Sequence, residues 1–231
     1  MDSQSEQLPQ GDEKRAAVRS MFDSIAPRYD VVNRIMTFGM DVGWRRTTRR
    51  SLNLDPGSLV LDLASGTGDF SVDLAKAGHR PIAVDLSFGM LAAARTDRPR
   101  VQGDLLDLPL AARSVDAAVC GFALRNLVAL DPFFAELFRV VRPGGRIALL
   151  DVSRPDNVFL RWGHGIYFNR LVPVIGGLLS DRDAYAYLPR SVSYLPGPAA
   201  LMAKLTEVGL VDVERRQLSG GISQLLTARR P

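Results

Sequence analysis

The sequence predicts an α/β fold: one domain built on a doubly wound, mostly parallel sheet of seven strands. Three observations carry that expectation. Leu59–Leu63 is an almost continuous aliphatic run, as a strand covered on both faces requires. It passes straight into Ser65-Gly66-Thr67-Gly68, where glycine lets the backbone turn sharply, and then into a helix opened by Asp69 and Phe70. Further buried runs follow with helical stretches between them, the alternation that builds parallel sheets.

The elements follow in order. Residues 1–12 are polar and expected to be disordered. Residues 14–53 read as helices laid before the sheet, with an apolar side from Met21, Tyr29, Met36, Met40 and Trp44. The core spans residues 57–153. Its second strand, Pro81–Val84, ends in Asp85, and a short third strand covers Val101–Asp104. Val115–Cys120 is the fourth strand, and Pro132–Val141 is a helix ended by the glycine turn Arg142-Pro143-Gly144-Gly145. Arg146–Val152 is the fifth strand. Residues 155–197, with Phe159, Trp162, Tyr167 and Phe168, are too apolar for a solvated loop. They read as a helical insertion above the ligand edge of the sheet. A helix over 198–208 and strands near 211–218 and 222–228 close the chain.

Composition narrows the function. Of 231 residues, 46% are apolar, enough for one real core. The lone cysteine, Cys120, excludes an internal disulfide, and zinc ligands are lacking. A single buried cysteine leads us to expect a reducing cytoplasm, and neither a secretory signal nor a membrane-length apolar run is visible. The net charge is +4, densest at Arg45-Arg46 and Arg49-Arg50. Such a cluster suits a solvated helix face, or a membrane surface carrying anionic lipid. Nucleic acid is not expected as a partner, because no RNA-binding motif or interleaved aromatic set is present.

Gly66 and Gly68 let a ligand approach the backbone, and Asp85 stands where an acid accepts ribose hydroxyls. Together they describe a nucleotide-type cofactor site. The dinucleotide fingerprint needs a third small residue, and here that position is Ser71. Asp62 lies four residues before Gly66. This D-x-x-x-G-x-G pattern resembles the first motif of class I S-adenosylmethionine-dependent methyltransferases. The cofactor's cations suit nearby acids, and Asp104 falls within reach of an adenine amino group. His79 lies on the opposite edge of the sheet, and His164 lies in the apolar insertion.

Longer stretches carry a narrower resemblance. Met21-Phe22-Asp23-Ser24-Ile25-Ala26-Pro27-Arg28-Tyr29-Asp30, Gly39-Met40-Asp41-Val42-Gly43-Trp44-Arg45 and Gly121-Phe122-Ala123-Leu124-Arg125-Asn126 are three of them. Asp151-Val152-Ser153-Arg154-Pro155, Tyr185-Ala186-Tyr187-Leu188-Pro189-Arg190-Ser191 and Gly220-Gly221-Ile222 are the others. From about Val18 to Thr227 the chain resembles the ubiquinone/menaquinone biosynthesis C-methyltransferases, most of all the demethylmenaquinone methyltransferases. The resemblance implies methyl transfer from S-adenosylmethionine to a ring carbon of a prenylated quinol. It implies cofactor contacts at Thr67, Asp85, Asp104 and Leu105, beside Asp62, Gly66 and Gly68 of the turn. Where the family often has serine this chain has Gly121, so only backbone serves there. Leu226 stands in place of a histidine, and Asp151-Val152 in place of Glu-Phe.

The acceptor carbon becomes nucleophilic when the neighbouring phenol loses its proton, so a base or a phenolate-stabilising cation is useful. Arg125, just beyond strand four, is expected to steady the phenolate directly or through a water. Tyr29 is expected to cap the pocket and bond the ring oxygen. An internal salt bridge for Arg125 and core packing for Tyr29 are the structural alternatives. The prenyl tail implies peripheral membrane contact, with residues 155–197 and Arg45–Arg50 as the docking face. A ubiquinone precursor, another phenol, or a non-catalytic cofactor-binding role in a quinone-biosynthesis assembly remain as alternatives. An amino-group methyltransferase lacks support, since no N/D-P-P-Y/F motif follows strand four.

Overall fold

The computed structural model describes residues 10–153, 155–157, 187 and 191–231. These form a seven-stranded sheet of order β3-β2-β1-β4-β5-β7-β6. The strands are β1 (Leu59–Leu63), β2 (Arg80–Asp85), β3 (Arg100–Gln102), β4 (Val115–Gly121), β5 (Val141–Val152), β6 (Val211–Leu218) and β7 (Ser223–Arg229). β1 to β5 pair in parallel, and β7 runs antiparallel to both β5 and β6. Helices α1 (Gly11–Ile25), α2 (Tyr29–Met36) and α3 (Met40–Ser51) precede the sheet. Helices α4 (Asp69–Lys76), α5 (Phe88–Ala92), α6 (Leu130–Val140) and α7 (Pro198–Glu207) follow.

The period-2 alternation of a strand explains the two layers. Leu61, Leu63, Ala118, Cys120, Ile147 and Leu149 face Phe133, Phe134 and Leu137 of α6 and Leu201 and Leu205 of α7. Val60, Ala117, Val119, Ala148 and Leu150 face Trp44, Phe70 and Leu74 of α3 and α4. Full burial of each such Leu or Phe contributes about 1.5–3 kcal/mol. Leu226 is one more buried apolar contact on the α6 side. The chain leaves β1 outward to β2 and β3, then returns to β4 on the other flank. The topological switch point, where such sheets bind ligands, therefore lies between β1 and β4.

Three expectations need correction. Helix α1 starts at Gly11, so residues 11–12 are helical; residues 1–9 lie outside the described residues. The third strand ends at Gln102, and Asp104 sits beyond it in an isolated bridge to Asp107. The Arg142–Gly145 turn does not end α6, whose cap Val141 is already extended. The terminal carbonyls of Arg139 and Val140 are taken by the N–H groups of Arg113 and Ser114. The glycines instead serve an irregularity in β5, where its register on β4 shifts between Val115 and Ala117. Gly144 takes a φ of +79°, and a Cβ on Gly145 would meet the Asp116 carbonyl at 2.6 Å. Most of the insertion expected over 155–197, including His164, lies outside the described residues.

Candidate active site

A cleft opens at the carboxyl ends of β1, β2 and β4. Ala64 and Gly66 follow β1, Asp85 ends β2, and Gly121 ends β4; all four line it. Gly66 and Gly68 have φ of +55° and +86°, which only glycine adopts readily. Two non-glycine residues on the wall are also left-handed, Ala64 at +50° and Phe122 at +61°. The Ser65 N–H bond to the Val84 carbonyl and the Phe122 N–H bond to that of Leu150 hold these turns. Strain of this kind concentrates where a fold holds a ligand.

The carboxylates occupy distinct environments. Asp85 accepts the Gly66 N–H on Oδ2 and the Ser87 N–H on Oδ1, both at 2.8 Å. Burial raises its pKa, against the pull of these bonds. Asp104 lines the cleft, accepts the Leu106 N–H and pairs with Arg15 of α1 at 2.6 Å. Leu105 and Leu106 add an apolar wall beside it. Asp62 points to the α4 face of the sheet, where Ser71 donates to Oδ2 at 2.6 Å. Ser71, the residue that breaks the dinucleotide fingerprint, is thus the partner of the motif's own acid. The other Asp62 oxygen is buried without a partner among the described residues. Burial pushes this carboxyl up to about 7.

Tyr29, Gly66, Asp85, Asp104, Leu105 and Gly121 come together on the cleft wall; Asp62, Thr67, Gly68 and Arg125 stand behind it. The Thr67 hydroxyl donates to Asp30 of α2 at 2.5 Å. Gly121 faces Phe70: a Cβ there would lie 2.6 Å from the ring. The Arg125 guanidinium is buried in an ion pair with Asp151, and its Nε donates to the Ser191 hydroxyl at 3.2 Å. This is the internal salt bridge weighed as the alternative to a direct contact. It joins residues from three separate motif stretches, Arg125, Asp151 and Ser191. Tyr29 lines the cleft, and burial raises its pKa while Arg45 and Arg125 pull it down.

Two groups escaped the sequence reading. Asn126 lines the cleft; its Nδ2 donates to the Phe122 carbonyl and its buried Oδ1 has no partner among the described residues. The Arg125-Asn126 pair was visible as a motif, but charge drew the role to the arginine. The second group is α1, whose Arg15, Val18, Arg19 and Phe22 form one wall. Its signal was the Phe22-Asp23 pair: Asp23 accepts from the Ser87 hydroxyl and the Gly89 N–H of the cofactor side. Lys14 strengthens the seam by donating to the carbonyls of Arg125 and Leu127.

Half of the arginine cluster is spent inside the molecule. Arg45 pairs with Asp41 and Asp69, and Arg49 with Asp73. Arg34 and Arg95 join the same acids, tying α2 and α3 to the first turn of α4 behind Gly68. Only Arg46 and Arg50 of the four are exposed, so the docking face expected at Arg45–Arg50 is reduced to these two.

Comparison with known proteins agrees with this geometry. The ubiE/COQ5 methyltransferase family matches residues 10–229. A demethylmenaquinone methyltransferase of Mycolicibacterium paratuberculosis is 42% identical, covering 93% of this chain and 94% of its own. A ubiquinone/menaquinone biosynthesis C-methyltransferase UbiE of Syntrophotalea carbinolica is 39% identical over 92% and 93%. Among solved structures, a Haemonchus contortus phosphoethanolamine N-methyltransferase 2 in complex with S-adenosyl-L-methionine shares the fold at a TM-score of 0.61 and 14% identity. That match covers 81% of this chain and 52% of the longer nematode protein. The chain belongs to the ubiE/COQ5 methyltransferase family.

Proposed function

We propose that this enzyme methylates a ring carbon of demethylmenaquinol with S-adenosylmethionine, the step that yields menaquinol. The observation that carries the proposal is one cleft holding Gly66 and Asp85 together with Tyr29 and Asn126. The first pair suits the methyl donor and the second suits a phenolic ring.

The residues present fit the donor. Each Asp85 oxygen accepts one N–H and keeps a lone pair for a ribose hydroxyl. Asp62, behind the turn, keeps one oxygen without a partner among the described residues. Asp104 and Leu105 would flank the adenine. When bound, S-adenosylmethionine supplies an electrophilic methyl and its own leaving group. The protein's work is therefore to position the acceptor and favour its phenolate.

Tyr29 keeps its proton at neutral pH, so it donates to the ring oxygen and stabilises charge that develops there. Asn126, on the cleft wall beside it, helps to set the plane of the ring. Arg125 holds the Leu124–Asn126 turn through Asp151 and Ser191, and places a positive charge behind it. Val18, Phe22, Leu105, Leu106, Leu127 and Val128 exclude water from the reacting atoms. The prenyl tail resides in the bilayer, which makes the enzyme a peripheral visitor; no helix among the described residues is long and apolar enough to cross a membrane.

Lipid quinones extracted from a strain lacking the chain's gene test the proposal. The demethyl form accumulates and the chain in trans restores menaquinone. An unchanged quinone pool contradicts the proposal.

A further inference from the structure

Five large apolar side chains are exposed among the described residues, and four of them fall within twelve positions: Val31 at 63%, Ile35 at 43%, Phe38 at 73% and Val42 at 41%. On α2 the only exposed residues are Val31 and Ile35. A soluble helix normally turns polar residues outward; α2 instead buries Val32 and Met36 on one side and offers two more aliphatic residues on the other. The exposed face of α3 continues the pattern with Val42, Gly43, Arg46 and Arg50. Val42, Arg46 and Arg50 are spaced i, i+4, i+8, so they share one helix face. No acid is exposed between residues 31 and 50, because Asp41 is buried against Arg34 and Arg45. Neither Arg46 nor Arg50 forms an ion pair among the described residues.

We propose that this α2–α3 face docks on an anionic lipid bilayer, with Val31, Ile35, Phe38 and Val42 in the headgroup–acyl boundary and Arg46 and Arg50 on lipid phosphates. The proposal rests on the quinol assignment for its purpose, since α2 begins at Tyr29 on the cleft wall and a docked α2 brings the cleft to the tail. Charge selects lipid over a second copy of the chain: an apolar stripe grading into unpaired arginines complements an anionic surface but repels its own image. These residues lie outside the cleft lining, so substituting them leaves the chemistry in place.

The test is co-sedimentation of the full chain with phosphatidylcholine vesicles, with and without phosphatidylglycerol. Binding is expected only with the anionic lipid and weakens with salt. R46Q/R50Q is expected to lower the partition coefficient roughly thirtyfold, at about fivefold for each cation near the surface. V31S/I35S is expected to abolish binding at any salt. Both variants retain methyl transfer to a tail-less naphthoquinol in solution and lose it for the long-chain quinol in vesicles. Wild-type levels of binding in both variants overturn the proposal. So does self-association in the ultracentrifuge that V31S/I35S abolishes without any vesicle binding, which would make the stripe a homodimer face. Vesicle binding of the expected pattern with no transfer to any quinol supports the docking face and overturns the substrate assignment instead.

Discussion

Arg125 separates structure from chemistry. Replacing it with alanine leaves Asp151, which is fully buried, without its countercharge. Stranding one member of such a pair costs about 3–5 kcal/mol. Low activity of Arg125→Ala would therefore say little about catalysis. The informative variant is Arg125→Gln combined with Asp151→Asn, which removes both charges and keeps groups able to bond Ser191 and the Val152 N–H. It is expected to unfold in urea within about 2 kcal/mol of the parent; with each single variant about 3–5 kcal/mol down, the double-mutant cycle gives a coupling energy of at least ~4 kcal/mol. Turnover is expected to stay roughly tenfold down, or about 1.4 kcal/mol, with the cofactor's Kd unchanged. The figure is modest because the guanidinium does not line the cleft and Asp151 offsets part of its charge. Stopped-flow turnover and calorimetry on the four proteins of the cycle supply every term. Near-native turnover in the neutral pair would refute a role for the Arg125 charge and leave only its scaffolding role.

Asp85→Asn should weaken S-adenosylmethionine binding at least about tenfold by calorimetry, since charge-assisted bonds are worth about 1.5–3 kcal/mol each; circular dichroism should show the sheet intact, and unchanged affinity contradicts the assignment. Gly121→Ser should cost about 1–3 kcal/mol in denaturant midpoint because its Cβ falls 2.6 Å from the buried Phe70 ring. Adding Phe70→Leu should recover much of that loss, and a fully stable single variant would contradict the packing argument. Asp62 sets a pH dependence. Its folded pKa of about 7 lies above the ordinary 3.8, so its contribution is whole below pH 3.8 and is lost as pH rises through 7. The gap corresponds to about 4 kcal/mol. Asp62→Asn should flatten the cofactor-free stability curve over that window; a curve with the parent's slope contradicts the burial of an ionisable Asp62.

Much of the fold was legible because its central strands are covered on both faces. Residues 59–63 and 115–120 read as buried strands from their aliphatic runs alone, and both lie inside the sheet. The place of Asp85 at the end of β2 was legible because strand, glycine turn, helix and strand hold a nearly constant length in such units. The pairings were not legible. Asp69 meets Arg45 across 24 positions and Asp151 meets Arg125 across 26, and neither separation leaves a periodic trace. That is why Arg45 read as a surface charge and Arg125 as free to meet substrate. The α6–β5 junction misled for a local reason: Pro143-Gly144-Gly145 is ordinary helix-ending chemistry, and only the neighbouring β4 shows that it serves a strand irregularity. The wall formed by α1 was hidden because Lys14, Arg15 and Arg19 make that segment look like a solvated helix.

The most direct measurement uses purified chain, S-adenosylmethionine carrying a deuterated methyl, and demethylmenaquinol in mixed micelles. Mass spectrometry of the extracted quinone should show one labelled methyl on the ring carbon, with equimolar S-adenosylhomocysteine formed. Label on oxygen, or a cofactor that binds tightly yet transfers nothing to the quinol, would contradict the account.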